Sequence, residues 1–259
     1  MNFNNIKFEE KDSIGFISLN RPEKLNALSV ELFSELKEVL LSLNFNNSKV
    51  KGLILFGEGE RAFAAGADIK QMSTMSQIKA HQFSALAQEV TLLLENLPIP
   101  TISCVDGFAL GGGCELAMAC DFIYATEKSS FGQPEVSLGL IPGFGGCIRF
   151  VRALGVNKAK EFIFSGKQIP AAQAKKLNLV NKVLPNRIDL FNEATDTLHA
   201  TFKNSPAAIA LTKKVINSTL HMPIEEALKI ERDAFAAGFS HPEKTEGVTA
   251  FLEKRKAKY

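Results

Sequence analysis

Asp106-Gly107-Phe108-Ala109-Leu110-Gly111-Gly112-Gly113-Cys114-Glu115-Leu116-Ala117-Met118 is the stretch on which the reading of this chain turns. It follows Thr101 to Val105, a short apolar run that reads as a strand, and leads into Glu115 to Ala119, which reads as a helix. Glycines at such a junction let a ligand approach the backbone closely, and N–H groups at a helix start favour negative charge. That charge is either a phosphate or a developing oxyanion. The phosphate reading is the weaker one, because no Lys-Ser or Lys-Thr follows the glycines and the spacing is not G-x-G-x-x-G. Close packing against a strand also accounts for three glycines.

Working outward, Glu115 has a counterpart in Phe131-Gly132-Gln133-Pro134-Glu135. Each glutamate sits in apolar, glycine-rich surroundings, where a carboxylate is costly unless it is paired or has a task. Burial raises a carboxyl pKa and lets one acid stay protonated while its neighbour is ionised. Such a pair adds or removes the elements of water, one group as base and the other as acid. The plainer alternative is a backbone cap or an arginine partner for each. Upstream, Ala65-Gly66-Ala67-Asp68-Ile69-Lys70 is a small-residue loop that leaves the Ala67 N–H accessible. Two N–H groups converging on one oxygen stabilise an enolate or tetrahedral oxyanion. A tightly packed turn explains the same alanines.

The rest of the first half alternates strand and helix. Ile14 to Leu19 reads as a strand halted by Asn20-Arg21-Pro22, and Ser29 reads as the N-cap of a helix bearing Leu32, Phe33, Leu36, Val39, Leu40 and Leu43. Gly52 to Phe56 is an apolar strand, and Phe63 to Asp68 a loop. Phe83, Leu86, Val90, Leu93, Leu94 and Leu97 mark a helix stopped by Pro98 and Pro100. Phe122 to Ala125 reads as a strand and Phe131 to Pro142 as loop-rich. Beyond Leu154 the chain is mostly helical, apart from a strand at Leu179 to Leu184. With no low-complexity linker, this is one α/β core with a helical C-terminal extension, divided at about 1–195 and 196–259.

Bulk properties narrow the classes. The 259 residues are 46% hydrophobic and 22% charged, with a formal net charge of +2, which gives no reason to expect general nucleic-acid binding. The four histidines are scattered, and none of Cys104, Cys114, Cys120 and Cys147 forms a C-x-x-C pair, so a metal site is not expected. All four cysteines lie in apolar stretches, as suits reduced thiols. The polar start, Met1 to Asp12, has no leader pattern, and no apolar run approaches a membrane span. A soluble cytoplasmic protein is the expectation.

The order and spacing of these motifs resemble the signature of the enoyl-CoA hydratase (crotonase) family. The residues that carry the likeness are Asn20 to Pro22, Phe63 to Lys70, Asp106 to Met118, Phe131 to Val136, Leu140-Ile141-Pro142-Gly143-Phe144-Gly145-Gly146, and Glu246 through Arg255. It spans essentially the whole chain. The resemblance implies a crotonase-like fold of repeated ββα turns with a helical C-terminal trimerisation region, assembled as a homotrimer or hexamer. It implies an acyl-CoA substrate, no separate cofactor, an oxyanion hole formed by the Ala67 and Gly112 N–H groups, and Glu115 and Glu135 as the catalytic pair. Asp68, Ile69 and Lys70 align with the segment lining the CoA site, and Lys24 and Leu25 with the cradle of its adenosine end. Phe251 and Lys254 match positions that reach the CoA phosphates of a neighbouring subunit, although a solvated basic tail is the rival account. One departure stands out: relatives have Gly-Gly-Thr-Gln-Arg where this chain has Gly145-Gly146-Cys147-Ile148-Arg149, a change expected to bear on local packing or acyl-chain fit. A Δ3-Δ2 enoyl-CoA isomerase, which needs one carboxylate, and a non-catalytic RNA- or acyl-CoA-binding member of the superfamily are the alternatives.

Overall fold

After an N-terminal hairpin, successive turns of two strands and a helix place their strands in two different sheets. The computed structural model describes residues 3–45 and 49–259. β1 (Ile6–Lys11) and β2 (Ile14–Leu19) form an antiparallel hairpin whose two-residue turn, Asp12-Ser13, has positive φ at both positions, matching the strands' right-handed twist. α1 (Val30–Phe45) follows, begun by the Ser29 Oγ, which accepts from the Leu32 N–H at 3.3 Å. Next come β3 (Gly52–Gly57), β4 (Ala62–Ala64), a one-turn α2 (Ile69–Met72) and α3 (Gln77–Glu95). The pattern repeats as β5 (Thr101–Val105), β6 (Phe108–Leu110) and α4 (Gly112–Ala117). It repeats again as β7 (Phe122–Thr126), β8 (Ser130–Gly132), a 3-10 turn at Glu135–Leu138 and α5 (Gly146–Leu154). β3, β5 and β7 join one sheet, while β4, β6 and β8 join the other. These are the ββα turns that the resemblance implies.

After α6 (Val156–Ser165), the two-residue β9 (Ile169–Pro170) and α7 (Ala171–Lys176), β10 (Lys182–Leu184) completes the first sheet in the order β1-β2-β3-β5-β7-β10. All its pairings beyond the hairpin are parallel. A parallel sheet is covered on both faces, so its strands are apolar throughout rather than alternating. Leu53 and Leu55 of β3 point into the main core with α1 and α3, and Ile54 points the other way, onto Leu190, Ala194 and Leu198 of α8 (Arg187–Thr201). The second sheet runs β4-β6-β8-β9, with only β9 antiparallel. The chain closes with α9 (Pro206–Thr219), α10 (Ile224–Gly238) and α11 (Pro242–Leu252). A division after residue 195 falls inside α8, whose apolar face belongs wholly to the core sheet.

Several elements differ from the sequence reading. The polar start contains β1, because Ile6 is buried and pairs with Leu19 while the charged residues between face outward. The helix expected at Glu115 begins three residues earlier, among the glycines themselves. The loops expected at 63–68 and 131–142 each start from the end of a three-residue strand. The expected strand from Leu179 is regular only over Lys182–Leu184. No helix among the described residues is long and apolar enough to cross a membrane.

Candidate active site

Three neighbouring parallel strands, β4, β6 and β8, end on the same side of the second sheet, and the chain leaving each carries one part of the site. Carboxyl ends of parallel strands are where such sheets place ligands. After β4 comes Ala65 to Asp68. Leu28 donates its N–H to the Gly66 carbonyl (2.9 Å) and accepts from the Asp68 N–H (2.8 Å). Those two bonds turn the Ala67 N–H, which lies between them, to the opposite side. The loop is braced by Arg21, which donates to the Ala27 carbonyl at 2.5 Å and pairs with Asp68 at 2.9 Å.

After β6, Gly111 takes φ 51° and ψ −127°, a conformation open essentially only to glycine. A Cβ there would also lie 2.8 Å from a Glu135 carboxylate oxygen. Gly113 meets a harder limit, since a Cβ on it would sit 2.0 Å from the Ala64 carbonyl oxygen. The first turn of α4 is therefore packed backbone against backbone on β4. This brings Gly112, at the first position of α4, to the same cavity as Ala67. Neither N–H has a protein acceptor among the described residues.

Glu115 lies in the first turn of α4 and is 1% exposed. One of its oxygens accepts from the Phe144 N–H at 2.7 Å and the Gly146 N–H at 2.6 Å. Burial, and then the Glu135 charge, push its carboxyl from 4.5 up to about 7, against the pull of those two N–H groups and of Arg149. Glu135 begins the 3-10 turn beyond β8 and is half-buried, and burial raises its pKa as well. Gln133 is fully buried, and with its amide nitrogen turned to the carboxylate it donates to both Glu135 oxygens, at 3.1 and 3.2 Å.

Ala67, Ile69, Gly112, Glu115 and Glu135 all line one cavity of about 540 Å³, a size ordinary for a small-molecule site. Its other walls are mainly apolar, from Met72 and Met75 through Phe83 to Leu138 and Phe144. Asp68 and Lys70 flank this cavity without lining it, and Asp68 is engaged as the N-cap of α2 and the partner of Arg21. Lys24 is exposed, and Leu25 is tied to the same loop by an Ala65 N–H to Leu25 carbonyl bond of 3.0 Å. Phe251, 82% exposed, and Lys254 lie at the end of α11 and form no part of this cavity. Cys147 does not line it either. The residues missed in the sequence are the supports: Gln133, Arg149, and the N–H groups of Phe144 and Gly146. A glutamine two places before an acid was a usable signal, whereas backbone donors carry none. No cluster of three or more His, Cys, Asp or Glu suited to a metal ion occurs among the described residues.

Comparison with known proteins places the chain in a family. The enoyl-CoA hydratase/isomerase family profile matches residues 9–259. A short-chain-enoyl-CoA hydratase of Clostridium acetobutylicum is 41% identical over 256 residues, covering 99% of this chain and 97% of that protein. A crotonyl-CoA hydratase of Syntrophomonas wolfei is 40% identical over 259 residues, covering 100% and 99%. The crystal structure of an enoyl-CoA hydratase from Bacillus anthracis superposes with a TM-score of 0.94 at 36% identity, covering 99% of each chain. With the family profile matching residues 9–259 and relatives about 40% identical along almost the whole chain, this chain belongs to the enoyl-CoA hydratase/isomerase family.

Proposed function

We propose that the protein is a hydro-lyase that reversibly adds water, in syn geometry, to a trans-2-enoyl-CoA to give a 3-hydroxyacyl-CoA. The observation that carries this reading is the meeting of two carboxylates and two unused backbone N–H groups on one largely apolar cavity. The thioester carbonyl oxygen accepts from the Ala67 and Gly112 N–H groups, which draws electron density away from C3. Two fixed donors suit an oxygen that gains charge as the reaction proceeds, and each is worth roughly 3 kcal/mol to such a transition state. Glu115 takes a proton from a water held between the carboxylates as its oxygen bonds to C3. Glu135 gives a proton to C2 as the enolate collapses, so the double bond is lost and one water is consumed. Glu135 then regains a proton from Glu115, directly or through water, and the pair is restored. CoA is part of the substrate, and no further cofactor enters these steps.

The same reading takes the exposed Lys24, with Leu25, as the cradle of the adenosine end of CoA, and the exposed Lys70 as part of the segment along the CoA site. It also takes the C-terminal helices as an assembly surface, because Ile216, Leu220, Leu228, Phe235, Phe239 and Phe251 leave large apolar side chains exposed there. Phe251 and Lys254 would then serve the CoA site of a neighbouring copy in a trimer or hexamer.

The test is loss of the conjugated enoyl-thioester absorbance of crotonyl-CoA, with Glu115→Gln and Glu135→Gln assayed alongside. Rapid loss in the parent and near-abolition in both variants is the expected result. Loss that survives Glu115→Gln would remove the carboxylate pair from the mechanism. Conversion of a 3-enoyl-CoA without formation of a 3-hydroxyacyl-CoA would point to the isomerase instead.

A further inference from the structure

We propose that the ring pair Phe83–Phe144, backed by Phe33, is the stop that limits the acyl group to short chains. The inference rests on the hydration reading for the identity of the ligand, but its geometry stands on the cavity alone. Phe83 of α3 and Phe144 both line the cavity and are almost entirely buried. Their rings meet edge to face at 5.2 Å, and Phe33, fully buried on α1, closes the triangle at 5.9 Å from Phe83 and 5.3 Å from Phe144. The three rings hold one another in the arrangement that aromatic pairs prefer.

Two features make this wall both near and stiff. It is near because the Phe144 ring packs directly on Gly112: a Cβ on that glycine would lie 2.7 Å from a ring carbon. The residue that offers an N–H to the carbonyl oxygen is thus in contact with the ring that ends the space. It is stiff because the backbone around Phe144 is held on every side. Its N–H donates to Glu115 and its carbonyl accepts from Arg149 at 3.2 Å. The preceding Gly143 carbonyl accepts from Ser84 Oγ at 2.6 Å and Gln88 Nε2 at 2.9 Å, both on α3. The helix bearing Phe83 and the loop bearing Phe144 are therefore latched together. A longer chain must break that latch or turn back past Leu138, Leu140 and Ile141 on the open side.

The test uses a series of trans-2-enoyl-CoAs of four, six, eight and ten carbons with the parent, Phe83→Ala and Phe83→Leu. Phe83 is chosen because Phe144 also holds Glu115. In the parent, kcat/KM falls by roughly tenfold or more between the four-carbon and eight-carbon substrates, a step typical of discrimination in an apolar pocket. Phe83→Ala restores the longer chain relative to the shorter by a similar factor, and Phe83→Leu, which keeps most of the packing, does so in part. Binding of saturated butyryl-CoA and octanoyl-CoA, read by calorimetry, follows the same order without any chemistry. Equal turnover and equal binding of short and long chains by the parent would overturn the stop, as would a chain-length ratio unchanged in folded Phe83→Ala or Phe83→Leu. Should no enoyl-CoA be hydrated at all, the hydration reading fails, and the saturated ligands still decide whether the stop exists.

Discussion

Replacing Glu115 with glutamine should stabilise the protein, and by an amount that grows with pH. The carboxyl stands at about 7 in the fold against 4.5 as its ordinary value. Below about pH 4.5 it is protonated in both folded and unfolded chains, so its ionisation costs the fold nothing. As pH rises toward 7, the unfolded chain ionises while the folded one resists, and the folded state loses stability. Above about 7 the full cost is present. The gap of about 2.5 pH units, at about 1.36 kcal/mol each, comes to about 3.4 kcal/mol. Glutamine removes that cost and keeps an oxygen that accepts from the Phe144 and Gly146 N–H groups. For a chain of this size the gain corresponds to a rise in Tm of about 7–14 °C. Thermal melts of parent and Glu115→Gln at pH 4.5 and pH 8 measure it, with the difference between the two proteins widening at the higher pH. Because the Glu135 charge supplies part of the rise, the parent's loss of stability with pH should shrink in Glu135→Gln. A difference between parent and Glu115→Gln that is the same at both pH values would refute the argument that Glu115 is strained by burial.

Gln133→Leu removes both donors from the Glu135 carboxylate, which favours its protonated form. The basic limb of the kcat/KM profile should move to higher pH, and kcat should fall about tenfold or more through lost positioning, whereas a purely structural role for Gln133 would lower stability and leave the limb in place. Gly113→Ala places a methyl carbon 2.0 Å from the Ala64 carbonyl oxygen, so two backbones must separate. Denaturant unfolding should show a loss of about 3 kcal/mol or more, and an unchanged midpoint would mean that the close contact between α4 and β4 is not a constraint.

How much of this was legible in the chain depends on the range of the forces involved. α1 and α3 announce themselves because their apolar residues repeat at helical spacing against one core, and β3 and β5 because strands covered on both faces are continuously apolar. β4, β6 and β8 are three residues each, too short to show any period, and exist because neighbouring ββα turns supply their partners. α4 starts on glycines that are poor helix formers, since the approach of Gly113 to Ala64 outweighs propensity. At the site, the two glutamates were conspicuous because charge in apolar sequence is rare. The Phe83–Phe144 contact was not, because it joins residues far apart in the chain and nothing in either segment names the other. Phe83 read simply as core, and it is core on one side and cavity wall on the other.

The two carboxylates are supported differently, and the difference favours distinct roles in the proposed reaction. Glu115 has one oxygen fixed by two backbone N–H groups, donors that cannot rotate away, so its other oxygen is left in a defined direction for a water proton. Glu135 is held by a side-chain amide at the start of a short turn, an arrangement with more freedom to follow a carbon that changes hybridisation. Burial raises both groups, and the charge of Glu135 raises Glu115 further. Ionising one therefore makes the second ionisation harder, and the pair titrates in two linked steps. Between those steps it carries one proton and one charge. That is the state hydration needs, with a base for water and an acid for C2, and either single glutamine variant destroys it.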